Sequence, residues 1–199
     1  MERKRTLAQY RSIDLALLAV ILCVFEGVTV FAARRLIPRS SIAFTVSLAA
    51  GITCIVYMRW GAWGAIHAFL SGAAWCVFSG AGSPLKNPEP YTVYCAGNLL
   101  SLITVLYMNG LGRERVRKSA WLTLLAGAVT LLCMQTGRAA VSLCFSRSVW
   151  EALSHYTTDA LSMVFTLVTV WVARRADGLF EEQKHYLARI SRSEGEERP

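Results

Sequence analysis

Residues 13–33 read IDLALLAVILCVFEGVTVFAA. An α-helix rises 1.5 Å per residue, so about 20 apolar residues cross the hydrocarbon core of a bilayer. This stretch has that length, and its interior holds one charge, Glu26. It lacks the polar face that a water-exposed helix repeats every three or four residues. A secretory signal peptide is the competing reading, with Phe31-Ala32-Ala33 as its cleavage site. The apolar run is too long for that and carries Glu26, so it reads as a first membrane span.

The same texture recurs outward from it, at residues 41–58, 62–79, 91–110, 120–145 and 155–173. Arg59-Trp60-Gly61 reads as a tight turn. Residues 80–90, with Gly80, Gly82, Pro84, Pro88 and Pro90, read as a loop. The cluster Arg113-Glu114-Arg115-Val116-Arg117-Lys118 separates the fourth and fifth spans. The fifth is long and is expected to tilt or break near Gly137. These segments predict an all-α, polytopic membrane protein: a six-helix domain over 1–177 and a tail over 178–199. In the tail, Leu179, Phe180, Gln183, Leu187 and Ile190 fall near one face of a short amphipathic helix. Such a stripe suits docking on the membrane surface, on the protein itself or on a partner.

Composition agrees. The chain is 54% apolar and 17% charged, against about 25% charged in soluble domains. The net charge of +8 would suggest nucleic acid in a soluble protein. Here Lys and Arg flank apolar spans, which points to membrane orientation instead. With the N-terminus inside, the inner segments hold 15 of the 21 Lys and Arg and the outer segments 5, with Arg138 inside the fifth span. Both termini are therefore expected in the cytoplasm of a cell-membrane protein. The first outer loop, with Arg34, Arg35 and Arg39, runs against that bias.

Polar residues inside the spans mark the candidate site. Glu26, Trp75, Asn98, Gln135, Arg138 and Asp159 all fall in the expected outer half of the bilayer, on five different spans. A charge there costs at least about 2.5 to 3.5 kcal/mol on insertion scales, so such residues face the bundle interior and offset one another. One reading is an outward-facing pocket in which Arg138 anchors an anionic or polar ligand and Trp75 stacks on it. The other is an ion-pair network that locks the helices. The inner half is almost free of charge, which argues against an ion path across the whole membrane.

Other chemistries lack their residues. Six cysteines lie in apolar segments with no C-x-x-C pair, so no metal or disulfide framework is expected. His67 and His155 lie at different depths, which excludes paired haem ligation. No phosphate-binding loop, H-E-x-x-H or G-x-S-x-G motif occurs. No enzyme activity, cofactor or metal is expected.

The segment Met58-Arg59-Trp60-Gly61-Ala62-Trp63-Gly64-Ala65-Ile66, leading to Phe69-Leu70-Ser71-Gly72, resembles the glycine-rich turn between the second and third spans of energy-coupling factor S components. The length, six spans and outer-half pocket are similar too. That resemblance implies a substrate-binding membrane subunit for a vitamin-like small molecule, working with a membrane T subunit and separate ATPase subunits. The family's first helix commonly carries alanines four apart for T-subunit docking. In this chain the four-residue spacing is Ala19-Cys23-Gly27. The alternative function is a membrane sensor or accessory subunit of a larger complex, contacting it through the tail.

Overall fold

Gly61 reverses the chain. Its backbone angles, φ 63° and ψ −135°, lie in a region that residues with a Cβ rarely occupy. In the computed structural model, which describes residues 7–36, 46–145 and 147–196, α1 (Leu7–Leu36) is followed by α2 (Ala49–Trp60) and, after a single 3-10 turn, α3 (Gly64–Phe78). By apolar length alone Ala49–Phe78 is one continuous stretch. Its contacts fold it back. Ser47 meets Glu26 and Arg59 meets Asp14, so α2 runs antiparallel to α1. His67 meets Leu15 and Gly27 abuts Phe78, so α3 runs parallel to α1.

The next helical run is α4 (Pro88–Tyr91), a π turn over Thr92–Ala96, a 3-10 turn over Leu99–Leu102, and α5 (Ile103–Leu111). Pro88 stands in the first turn of α4, where its missing N–H costs nothing. The expected loop is therefore shorter than 80–90. Next come α6 (Arg113–Lys118) and α7 (Ala120–Cys144), which is unbroken at Gly137, so of the expected tilt or break the break does not occur. Then come α8 (Val149–Thr158), α9 (Ala160–Arg175) and α10 (Gln183–Glu196).

The sixth helical stretch starts earlier than the expected residue 155. Ser148 and Glu151 form a reciprocal capping box that begins α8 at Val149. The chain then bends by 43° between α8 and α9. Of the expected second span, residues 41–45 lie outside the described residues, as does Arg39. The side chains of Arg34 and Arg35 do too.

No strand occurs among the described residues. Among the same residues four helical stretches are long and apolar enough to cross a membrane, counting Ala49–Phe78 as one, or five if α8 and α9 make one bent span. Ile13, Leu17, Val20, Val24, Val28 and Phe31 stand exposed along α1. A stripe of that size suits a hydrocarbon surround rather than water. Trp121 and Trp150, 72% and 81% exposed, stand at opposite ends of the bundle, where indole rings anchor at membrane interfaces.

One end of the bundle is closed by the tail. Phe180, 1% exposed, packs in a core with Tyr57, Met58, Met108, Val116 and Val170. The expected amphipathic stripe is thus divided. Leu179 and Phe180 dock on the bundle before α10 begins at Gln183.

Candidate functional site

Three glycines bring three helices into backbone contact. A Cβ on Gly72 of α3 would stand 2.6 Å from the Tyr94 carbonyl. A Cβ on Gly137 of α7 would stand 1.9 Å from the Gly97 oxygen, and one on Gly97 would stand 2.6 Å from the Arg138 nitrogen. Small residues permit such approach between membrane helices. Each glycine adjoins a polar residue in sequence: Ser71-Gly72, Gly97-Asn98 and Gly137-Arg138. The close crossing therefore brings those three polar side chains together. The π and 3-10 turns on either side of Asn98 shift the helix register there, as such turns often do near sites.

Arg138 is the hub. Its Nε donates to Asn98 Oδ1 at 2.7 Å, and its Nη1 donates to Asp159 Oδ2 at 2.6 Å. Nη2 has no hydrogen-bond partner among the described residues. Asn98 is fully engaged, since its amide also donates to Ser71 Oγ at 2.9 Å and to the Ala68 carbonyl at 3.1 Å. Asn98 thus fixes the guanidinium from behind. The Arg138 guanidinium carbon also lies 4.9 Å from the centroid of Tyr94, on which Trp75 stacks at 3.9 Å. His155 meets the same tyrosine edge-on, and its Nε2 lies 3.1 Å from Ser142 Oγ.

These groups enclose a chamber of about 200 Å³, lined by Glu26, Ser47, Ala49, Ser71, Trp75, Tyr94, Arg138, Ser154, His155, Thr158 and Asp159. Glu26 is 2% exposed and accepts a hydrogen bond from Ser47 Oγ at 2.5 Å. The chamber shares Trp75, Tyr94, Ser154 and His155 with a wider vestibule of about 460 Å³. In the vestibule Arg147 bridges Glu89 at 2.5 Å and Glu151 at 3.9 Å. The Glu89 carboxylate, by hydrogen bond and by charge, holds the Arg147 guanidinium above its ordinary pKa.

No protein-family model, curated protein or solved structure matches this chain. Its own geometry must therefore carry the functional reading. Of the residues singled out from sequence, Glu26, Trp75, Arg138 and Asp159 line the chamber. Asn98 stands behind Arg138. Gln135 is buried on α7, outside the linings of both the chamber and the vestibule. Glu26 meets the cluster through the chamber and the Ser47 hydroxyl, whereas Arg138 pairs with Asp159. Tyr94, Ser47, Ser71 and His155 also line the chamber and stand outside the candidate set read from sequence. Their signal was the glycine beside Ser71 and the aromatic ring one turn before Asn98. Among the described residues no group of three or more His, Cys, Asp or Glu is placed to hold a metal.

A contrasting cluster stands at the other end. Arg59 makes a two-pronged bond to Asp14, with Nε to Oδ2 at 2.8 Å and Nη2 to Oδ1 at 2.7 Å. Its Nη1 donates to the carbonyls of Gly178 at 2.5 Å and Leu179 at 3.2 Å. The Trp60 indole also donates to Asp14, at 2.5 Å. Gln183 donates to the same Gly178 carbonyl at 2.9 Å. Arg117 and Arg189 both reach Glu181, at 3.1 and 3.2 Å. This cluster ties α1, the α2–α3 turn and α6 to the start of the tail.

Proposed function

We propose that the chain is a membrane-embedded binding subunit for uptake of a small polar molecule. In this reading the helices make six passages, with α2 and α3 as separate short spans and α8–α9 as one bent span. The termini and the tail cluster lie in the cytoplasm, and the chamber opens outward. The antiparallel contacts of α2 and α3 support the six passages. The inner excess of Lys and Arg supports the orientation. The observation that carries the function is the chamber itself: a buried guanidinium with one nitrogen uncommitted, beside two stacked aromatic rings, below a wider vestibule. Concave, mostly pre-formed sites with a few convergent polar groups are where small molecules bind.

The sequence has no phosphate-binding loop motif, so uptake in this reading depends on separate energising subunits. The resemblance to S components of energy-coupling factor transporters supplies the candidate set: a membrane T subunit and ATPase subunits. Two experiments test the proposal. Cysteine labelling at Ser83 and Ser193, without native cysteines, should label Ser83 from outside and Ser193 only after permeabilisation. The reverse pattern ends the topology. Native mass spectrometry of gently extracted protein should find a small molecule that is lost in the chamber-filling variant Ala49→Phe. A protein partner held through the tail, with no small molecule, would move the assignment to an accessory subunit.

A further inference from the structure

We infer that the chamber recognises a small organic cation, a primary or quaternary amine carried on a compact apolar or aromatic body. This rests on the binding-subunit reading and names its substrate class. The chain as a whole is basic, at +8, yet the described lining of its access route is acidic. Vestibule and chamber together place the carboxylates Glu26, Asp159, Glu89 and Glu151 against the guanidiniums Arg138 and Arg147. Carboxylates thus outnumber guanidiniums four to two along this route, and an excess of one sign between low-dielectric walls concentrates ligands of the opposite sign.

The pairing inside this set is uneven. Arg147 is shared by Glu89 and Glu151 in the vestibule, and Arg138 is taken by Asp159. Glu26 is the chamber carboxylate that no guanidinium meets among the described residues. It sits instead at the N-terminus of α2, held by the Ser47 hydroxyl, whose oxygen accepts from the Ala49 N–H. A helix N-terminus supplies a fraction of a positive charge. It leaves room for a full one. Tyr94 is already met by Trp75 and by the Arg138 guanidinium, so the ring left for a ligand on the chamber wall is Trp75, and an aromatic face attracts an organic ammonium strongly once water is displaced. Arg138 then acts as a fixed wall whose free Nη2 suits a hydroxyl or carbonyl on the same ligand. At about 200 Å³ the chamber admits a molecule with one ring and a short arm. Arg34, Arg35 and Arg39 stand outside this count, because their side chains are not among those described.

The test uses the full chain in detergent and two probes of matched shape and opposite charge, benzylammonium and benzoate, with sodium ion as control. Binding is read by thermal shift and by quenching of tryptophan fluorescence. Benzylammonium should bind at least about tenfold more tightly than benzoate, in the range of a desolvated cation–aromatic contact. Glu26→Gln, which keeps a hydrogen bond to Ser47, should erase most of that preference and raise the affinity for benzoate. Trp75→Leu should weaken benzylammonium by a smaller factor. Equal or tighter binding of benzoate, an equal effect from sodium alone, or no binding of either probe at millimolar concentration would overturn the inference. The captured molecule in native mass spectrometry separates this failure from failure of the binding reading. A co-purified anion keeps the binding subunit and ends the cation.

Discussion

Two arginines stand at opposite ends of the bundle, and they are equally buried. The side chains of Arg59 and Arg138 are 10% and 8% exposed. Arg59 spends every nitrogen on the protein, with a two-pronged carboxylate and two tail carbonyls. Arg138 spends two nitrogens and leaves the third beside a chamber. Burial alone therefore does not separate a structural charge from a functional one. In the proposed reading, commitment of every nitrogen does. A guanidinium with every nitrogen bonded to the protein holds elements together. One held rigidly from behind, with a donor left over at a cavity, is placed to meet something else.

The largest expected effect falls on the crossing that supports Arg138. Gly137→Ala would put a methyl group 1.9 Å from the Gly97 oxygen. The clash is with backbone, so the helices must part. Folded, monodisperse protein should be lost in size-exclusion chromatography. Recovery of wild-type yield and melting would show that the crossing is looser than described.

Arg59→Ala comes next. It takes the guanidinium from Asp14, leaving the Trp60 indole, takes one donor from the Gly178 carbonyl and the guanidinium from the Leu179 carbonyl, and loosens the segment that carries Phe180 into the core. Breaking a buried pair by removing one partner costs about 3–5 kcal/mol. Melting in detergent should fall accordingly, and protease should gain access to residues 176–183. Arg59→Lys should rescue little, because an ammonium cannot reproduce the two-pronged geometry. If Arg59→Ala melts like the wild type, the tail cluster is not what closes that end.

Arg138→Ala should cost less stability, about 1–3 kcal/mol, the range for leaving a buried polar partner unmet. Asp159 lines the chamber, where water or ligand can take the place of the lost guanidinium. Its effect on binding should be the greater one. The double change Arg138→Gln with Glu26→Gln tests the alternative. If the arginine only offsets carboxylates, the pair of changes restores melting while single Arg138→Ala keeps wild-type affinity. That result would make both arginines structural and dissolve the comparison.

How much of this was legible beforehand follows from what each feature depends on. Apolar runs and the basic clusters between them are local, so the helices and the reversal at Arg59-Trp60-Gly61 could be read directly. The depth of Glu26, Arg138 and Asp159 follows from counting residues along a helix. Which face each presents does not, and so Gln135 was expected in the pocket but is buried outside it. The tail cluster was hidden for a different reason. Arg59 binds carbonyls 119 and 120 residues away, and backbone carbonyls carry no residue-type signal. The early start of α8 had a visible mark, Ser148 three residues before Glu151, which the apolar pattern overshadowed.

The smallest expected effect is also the sharpest on mechanism. Trp75 stacks on Tyr94 and lines both the chamber and the vestibule. It carries no charge, and in the proposed reading its ring stands beside the ligand's route. An aromatic pair contributes about 0.5–1.5 kcal/mol beyond its buried area. Trp75→Ala should therefore lower melting modestly, and a neighbouring ring can settle into the space. If the chamber binds by stacking, affinity should fall by up to about tenfold, the equivalent of the upper end of that range. Trp75→Phe keeps a face and should restore most of that loss. Trp75→Leu keeps volume without a face and should not. Equal affinities for the phenylalanine and leucine variants would mean that the ring fills space and recognises nothing, leaving Glu26 to select the ligand by charge and Arg138 to hold it by hydrogen bonding.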